Sequence, residues 1–185
     1  AVLPSDHFIG NREGWERSLD SAANLAEQGY LVTFAIPTTH PETGYGYILK
    51  GEKLGHDGFS VAAFVEKPDM DRARTFHESA SHFFNSGMFM FRGAALLAEL
   101  ERQQDSLFAW WSERKEKELV FSYSGLPNVS IDYGIMEGAG DMAMVEAAFD
   151  WDDLGSWEAL HRMGRKDEAG CVKSGDVLAL DCSDS

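Results

Sequence analysis

Cysteine is scarce in this sequence. The two cysteines, Cys171 and Cys182, both lie near the carboxyl end and lack the Cys-x-x-Cys spacing. Disulfide-stabilised domains and structural zinc sites need more cysteines in closer patterns, so the sequence indicates neither. The simplest compartment for such a chain is the reducing cytoplasm, and we expect it there.

Basic residues are also few. The 185 residues include 16 lysines and arginines against 31 aspartates and glutamates, which gives a formal net charge of −15. Without a long basic cluster, neither a nucleic acid nor an anionic membrane is expected as a partner. No apolar run approaches the roughly 18 to 20 residues that span a bilayer. An acidic site can still receive a nucleotide, because carboxylates that hold a divalent cation link it to phosphates.

The composition is otherwise that of a globular protein, with 44% hydrophobic and 25% charged residues. Helical and extended patterns alternate, so we expect one α/β domain with helices on both faces of a sheet. Gly29 is placed to end the first helix and Asp69 to cap the second. The predicted strands cover residues 31–36, 44–49, 61–66, 83–91 and 142–145. Short strands are expected after Gly170, so residues 166–185 are predicted to start a separate β element or to form a linker.

One predicted strand runs directly into Glu66-Lys67-Pro68. Proline removes a backbone donor, so strand pairing should stop at this point. In open α/β sheets, ligands bind at the carboxyl ends of strands. Glu66 can accept hydrogen bonds from hydroxyl groups and Lys67 can attract a phosphate, which together suit a phosphorylated sugar. The alternative is an ordinary strand end with a solvated ion pair.

The segment Gly44-Tyr45-Gly46-Tyr47 alternates glycine with aromatic residues. Such alternation is typical of an extended segment, and its glycines leave room for a ligand close to the backbone. Tyr45 and Tyr47 themselves are expected to be core or wall residues.

Six blocks of the sequence carry a family resemblance. They are Leu3-Pro4-Ser5-Asp6-His7, Pro41 to Ile48, Phe64 to Pro68, Asn85 to Phe89, Ser130 to Glu137 and Trp151 to Trp157. In this order they resemble bacterial mannose-1-phosphate guanylyltransferases over nearly the whole chain. The resemblance implies a nucleotidyltransferase with a Rossmann-like core, of the nucleotide-diphospho-sugar transferase kind. It also implies GTP and mannose 1-phosphate as substrates, with GDP-mannose and pyrophosphate as products.

The resemblance also implies roles for individual residues. By this resemblance, Asp6 and Asp153 are candidate ligands of Mg²⁺ and candidate catalytic residues. Lys67 is also a candidate catalytic residue, because it should contact the sugar phosphate. Glu66 and Asn85 should contact sugar hydroxyls. Gly46 should contact the ligand through its backbone.

Other interpretations of these residues stay open. Asp6 and Asp153 are also typical of turns and helix caps, and the neighbouring Asp152 could be the metal ligand instead. Asn85 could be a buried amide that holds a bulge. Asp132 could orient the site or belong to the first turn of a helix.

The motif Asp69-Met70-Asp71 resembles the Asp-x-Asp of metal-dependent glycosyltransferases. Because it follows a strand-ending proline, we interpret it as a helix cap instead.

Two departures from the family pattern limit the resemblance. Phe84 stands where the family usually has tryptophan, and no glycine-rich loop bearing an arginine is found before Asp6. We therefore expect residues 1–165 to be the carboxyl-terminal part of a catalytic domain, truncated at its amino end and inactive alone. Cutting a parallel sheet would expose strand edges, so we expect a homo-oligomer or self-association.

Two alternative functions follow from the same residues. The first is a related sugar-1-phosphate thymidylyl- or uridylyltransferase, because the base-contacting residues are not in this chain. The second is a noncatalytic module that binds a nucleotide sugar and regulates a partner.

Overall fold

The computed structural model describes residues 1–113 and 123–185. Its strands are β1 (Phe8–Ile9), β2 (Leu31–Pro37), β3 (Tyr47–Leu54), β4 (Gly58–Val65), β5 (His82–Met90), β6 (Met142–Glu146) and β7 (Trp151–Asp152). Its helices are α1 (Arg12–Glu27), α2 (Met70–Glu78), α3 (Gly93–Gln103), α4 (Asp105–Glu113), α5 (Ile131–Gly134) and α6 (Trp157–Met163). A 3₁₀ turn, Met136–Gly138, follows α5.

The helix boundaries agree with the local signals in the sequence. Helix α1 ends just before Gly29, whose φ of 103° few other residues adopt easily. Asp69 accepts a hydrogen bond from the backbone N–H of Arg72 and so caps α2. The prediction that Asp69 caps this helix is thereby confirmed.

The alternation of side chains along β2 builds a core on each face of the sheet. Val32, Phe34 and Ile36 point into one apolar cluster, which α1 covers with residues that include Leu25. Leu31 and Ala35 point into the other, together with Leu100 of α3, Ile135 and Met136. Successive side chains of a strand face opposite sides, so this pattern confirms helical cover on both faces of the sheet.

The main sheet closes on itself in the order β2-β5-β3-β4-β6. Only the β2–β6 pair is parallel, and the other four pairs are antiparallel. The expectation of a parallel sheet with exposed edges is therefore wrong for the main sheet of the described strands. The physical reason is that β6 pairs with β2, while the start of β4 reaches β6 through Phe59 and Ser60.

The carboxyl-terminal segment was predicted to start a β element or to form a linker, and it lacks the strands of the first alternative. In residues 164–185 the structure has no strand, and only an isolated bridge joins Lys166 to Val172. The short strands expected after Gly170 are absent from this segment. In the described part of the chain, no helix is long and apolar enough to cross a membrane.

Candidate active site

Glu66 and Lys67 directly follow β4, and their side chains lie in different surroundings. The Glu66 side chain is 9% exposed, whereas that of Lys67 is 55% exposed, and Lys67 Nζ lies 3.9 Å from Glu66 Oε1. Lys67 has a φ of 47°, in the left-handed region that non-glycine residues rarely adopt. The two charges therefore do not form the symmetric solvated pair that an ordinary strand end would show.

The start of β3, the end of β4 and the middle of β5 bring Gly46, Glu66 and Asn85 together. Tyr47 pairs with Val65 on one side and with Phe84 on the other, so the residues next in sequence become neighbours. The backbone N–H of Asn85 donates to the carbonyl of Gly46 at 2.8 Å. We call these three residues the Gly46 notch.

Gly46 leaves space between two polar groups. A Cβ atom added at Gly46 would lie 2.4 Å from Glu66 Oε2 and 3.4 Å from Asn85 Nδ2. A side chain there would fill the gap between an acceptor and a donor. Glycine therefore keeps the notch open.

The amide of Asn85 is fixed from both ends. Its Oδ1 accepts hydrogen bonds from the Thr33 hydroxyl at 2.8 Å and from the Gly87 N–H at 3.2 Å. Its Nδ2 donates to Asp132 Oδ1 at 2.9 Å. The β2–β5 register shifts between Thr33 and Ala35, opposite this segment. Asn85 thus holds an irregularity of the sheet and also borders the notch, and Asp132, in the first turn of α5, orients it.

Glu66 is a buried carboxylate with an unused acceptor. Its Oε2 is buried and has no hydrogen-bond partner among the described residues. Burial raises the pKa of Glu66 to about 7, with the charges of Asp132 and Glu137 adding to the effect and that of Lys67 opposing it. The group therefore titrates near neutrality, and a hydrogen-bond donor placed in the notch would favour its charged form.

A second group of residues forms around the two-stranded sheet of β1 and β7. Phe8 pairs with Asp152, so Asp6 and His7, just before β1, come close to Asp153, just after β7. We call Asp6, His7, Asp152 and Asp153, together with Tyr45 and Arg162, which bond to them, the Asp153 corner.

Asp152 and Asp153 have different partners. Asp152 Oδ2 lies 3.1 Å from Arg162 Nη2, and Asp152 Oδ1 accepts a hydrogen bond from the Leu154 N–H at 2.9 Å. Asp153 Oδ1 accepts hydrogen bonds from the Tyr45 hydroxyl at 2.7 Å and from the Gly155 N–H at 3.1 Å. Both oxygens of Asp152 are thus occupied, which makes it a poor candidate for the metal ligand that sequence left open.

Ser156 accepts a hydrogen bond from the Ala159 N–H and caps α6. The interpretation of Asp153 as that cap is therefore wrong.

The pKa of His7 is affected by burial and by three nearby carboxylates. Burial lowers its pKa, although the charges of Asp6, Asp153 and Asp152 each act to raise it. The Trp151 indole N–H donates to His7 Nδ1 at 3.1 Å, which fixes the ring. Asp6 itself is exposed. The two predicted metal ligands thus lie within electrostatic reach of the same imidazole.

The corner leaves carboxylate oxygens for a hard cation. Among the described residues, none donates a hydrogen bond to Asp153 Oδ2. A Cβ added at Gly155 would lie 2.9 Å from that oxygen, so glycine keeps its surroundings clear. Across residues 1–113 and 123–185, no group of three or more His, Cys, Asp or Glu side chains could hold a metal ion by itself. Two carboxylates completed by phosphate oxygens are a usual arrangement for Mg²⁺, and Asp6 and Asp153 fit it.

Sequence reasoning missed several members of the site. It predicts only a core or wall position for Tyr45, and it does not single out Thr33 or Arg162. Tyr45 belongs to one of the six family blocks, which is the only signal that the sequence offers for it. The partners of Thr33 and Arg162 cannot be read from the linear sequence.

The chain is similar in sequence to a known protein family. A sequence model of the family described as "Nucleotidyl transferase" matches residues 1–170. The xanthan biosynthesis protein XanB of Xanthomonas campestris is 38% identical over 193 residues, a match that covers 100% of this chain and 41% of XanB. A mannose-1-phosphate guanylyltransferase of Klebsiella pneumoniae is 40% identical over 188 residues, covering 95% of this chain and 40% of the relative.

A solved structure from Thermus thermophilus, described as a mannose-1-phosphate geranyltransferase, has the same fold. It aligns with a TM-score of 0.80 and 34% identity, over 91% of this chain and 50% of that one. The chain spans about two-fifths of the length of the curated relatives it matches.

Proposed function

Because the chain belongs to the nucleotidyl transferase family, we propose that it is the part of a mannose-1-phosphate guanylyltransferase that binds the sugar phosphate. The reaction would join GTP and mannose 1-phosphate into GDP-mannose and pyrophosphate. A phosphate oxygen of mannose 1-phosphate attacks the α-phosphorus of GTP, and the bond from that phosphorus to the pyrophosphate oxygen breaks.

The Gly46 notch is the observation that carries this proposal. The unpartnered Glu66 Oε2 offers an acceptor, and Asn85 Nδ2 keeps a second hydrogen beyond the one it gives to Asp132. A sugar hydroxyl can donate to the first and accept from the second. A buried polar atom without a partner costs free energy, so a ligand that satisfies Glu66 recovers that cost.

The neighbouring charges suit the rest of the ligand. The exposed Lys67 ammonium would attract the phosphate of the sugar phosphate. Asp6 and Asp153 would hold Mg²⁺, which supplies positive charge to neutralise phosphate oxygens. The chain's own residues then bind and orient the acceptor. These roles are part of the proposal.

We further propose that these 185 residues bind the acceptor without turning it over. The matched relatives are more than twice as long, and no glycine-rich, arginine-bearing loop precedes Asp6 in this sequence. Cytoplasmic location also belongs to the proposal. Self-association stays a prediction that has lost its original basis, because the main sheet of the described strands closes on itself. Light scattering at micromolar concentration tests self-association, and a monodisperse monomer would contradict it.

Calorimetry with three sugar phosphates tests the proposed substrate. Mannose 1-phosphate, glucose 1-phosphate and mannose 6-phosphate are each titrated into the chain and into Glu66→Ala, with Mg²⁺ present. We expect mannose 1-phosphate to bind most tightly and to lose about tenfold or more in affinity in the variant, since a hydrogen bond to a charged group contributes about 1.5–3 kcal/mol.

Each outcome of this titration has a meaning. Preference for glucose 1-phosphate would favour the thymidylyl- or uridylyltransferase alternative, and equal affinity of chain and variant would contradict the role of Glu66. Pyrophosphate release from GTP and mannose 1-phosphate by the 185-residue chain would contradict the claim of binding without turnover.

A further inference from the structure

We propose that Tyr45 is a positioning residue that holds Asp153 in the orientation needed to accept a divalent cation. This inference rests on the proposed function, in which Asp153 is a metal ligand. It goes further by assigning the hydroxyl of Tyr45 a role in cation affinity. It also assigns Tyr45 the task of linking the Gly46 notch to the Asp153 corner.

The hydrogen bonds at Asp153 divide its two oxygens. The Tyr45 hydroxyl donates to Oδ1 at 2.7 Å, across 108 residues of sequence, and the Gly155 N–H donates to the same atom at 3.1 Å. Oδ1 is thereby saturated with donors, while among the described residues Oδ2 receives none. Rotation of the carboxylate would break both bonds, so the pair of donors keeps Oδ2 available to a cation.

The ring of Tyr45 is itself held in place. It packs edge to face against Phe84, with centroids 5.1 Å apart and planes at 85°, and against Trp151, at 5.5 Å and 70°. Trp151 in turn donates to His7, the neighbour of Asp6. Such contacts leave the phenol little rotational freedom, and a fixed donor loses less entropy when it orients a ligand.

Tyr45 has a place in the chain that no other residue of the corner shares. It directly precedes Gly46, so the same stretch of backbone sets the notch and the donor to Asp153. A tyrosine hydroxyl ordinarily keeps its proton across the physiological range, so it remains available as a donor to Asp153.

Substitution of a single oxygen atom tests the inference. Tyr45→Phe removes the donor and keeps the ring, and we measure the affinity for Mn²⁺ by electron paramagnetic resonance, with mannose 1-phosphate present. We expect affinity to fall about fivefold to tenfold, the effect of about one net hydrogen bond. Calorimetry without metal should show unchanged affinity for mannose 1-phosphate, a separation that a general loss of structure would not give.

Tyr47→Phe is the matched control. Tyr47 is buried, and its hydroxyl accepts a hydrogen bond from the Glu42 N–H at 2.9 Å, away from Asp153. This variant also loses one hydroxyl from one buried tyrosine, but it should bind Mn²⁺ as the wild type does. Thermal unfolding of both variants shows whether either one loses its fold.

Asp153→Asn separates failure of this inference from failure of the proposed function. If Asp153→Asn weakens Mn²⁺ binding while Tyr45→Phe binds it as tightly as the wild type, the role of Tyr45 is overturned and the metal site stands. If Asp153→Asn binds Mn²⁺ as the wild type does, Asp153 is not a ligand and both claims fall. Equal weakening by Tyr47→Phe and Tyr45→Phe would also overturn the inference.

Discussion

Glu66 in the Gly46 notch and Asp152 in the Asp153 corner are carboxylates of equal burial with unequal partners. The side chain of each is 9% exposed. Asp152 has Arg162 at 3.1 Å and a backbone donor on its other oxygen. Glu66 has only Lys67 at 3.9 Å, and its Oε2 is left without a donor in the described structure.

This difference separates a structural carboxylate from one kept for a ligand. A buried charge is tolerated when hydrogen bonds and an opposite charge replace the lost water. The corner supplies both to Asp152, through Leu154 and Arg162, which follow β7 in the chain. In the notch, the opposite charge beside Glu66 is the more exposed Lys67 at 3.9 Å, while Asp132 and Glu137 add negative charge. No described residue donates a hydrogen bond to Glu66 Oε2.

The largest expected effect is on the stability of Glu66→Gln. With the pKa of Glu66 raised from 4.5 to about 7, folded and unfolded chains bind the same proton below pH 4.5. Between these values the unfolded chain releases its proton first, so the stability of the wild type falls as pH rises. Above pH 7 the loss is complete and amounts to about 3 kcal/mol, which the glutamine variant avoids.

Urea unfolding at pH 4, 6 and 8.5 measures this difference. The variant should match the wild type at pH 4 and exceed it increasingly at the higher values. Glu52→Gln, which removes the same charge from an exposed position of β3, controls for net charge. A wild type more stable than Glu66→Gln at pH 8.5 would mean that Glu66 has a partner after all, and the contrast with Asp152 would be lost.

Gly46→Ala tests whether the notch is a ligand site. The added Cβ would collide with Glu66 Oε2 and press on Asn85, at 2.4 and 3.2 Å, so the space between them closes. We expect affinity for mannose 1-phosphate to fall about 100-fold, which corresponds to about 2.7 kcal/mol. Calorimetry measures the loss.

Gly93→Ala is the control for this substitution. A Cβ at Gly93, the first residue of α3, would meet no atom within 4 Å. Its affinity for mannose 1-phosphate should equal that of the wild type. Affinity of Gly46→Ala within a factor of two of the wild type would show that the sugar does not use the notch.

Asp152→Asn should act in the opposite direction to Glu66→Gln. It removes the ionic partner of Arg162, whose pKa lies above its ordinary value because the hydrogen bond and charge of Asp152 outweigh the effect of burial. Since Arg162 is 38% exposed, solvent moderates the loss, and we expect destabilisation of about 1–2 kcal/mol in urea unfolding at pH 7.

Glu16→Gln is the matched control, because it removes the carboxylate of the exposed Arg12 pair on α1. We expect its cost to stay below about 0.5 kcal/mol. Equal costs for the two variants would mean that burial adds nothing to the Asp152 pair.

The sequence predicts local features of both regions better than it predicts their partners. Three local features were predicted from short stretches of sequence: the end of a strand before Pro68, the end of a helix before Gly29 and the helix cap at Asp69. The structure has all three. The prediction of a parallel sheet is wrong, because strand direction depends on which distant strands pair. That choice is made by the packing of the whole sheet and not by any one strand.

The same limit applies to the site. The family blocks identified Gly46, Glu66 and Asn85, and the structure brings the three together, although their roles stay predictions. The donors that distinguish Asp152 from Asp153 come from Arg162 and Tyr45. Tyr45 lies 108 residues from its acceptor, and Arg162 reaches Asp152 from α6, 10 residues further along the chain. Such contacts depend on how the elements pack and not on the neighbouring sequence.

The smallest expected effect comes from Asp132→Asn, which refines the account of why Glu66 is unsatisfied. The charge of Asp132 is the second cause of the raised pKa after burial, so its removal should lower the pKa of Glu66 without restoring 4.5. The variant keeps an oxygen that can accept from Asn85 Nδ2. A carboxyl NMR titration should show a downward shift of less than about one unit, equivalent to about 1 kcal/mol.

Asp71→Asn, at an exposed position of α2, is the control and should leave the pKa of Glu66 unchanged. An unchanged pKa in Asp132→Asn would assign the whole shift to burial, and the acidic surroundings of the notch would then have no part in its contrast with the Asp153 corner.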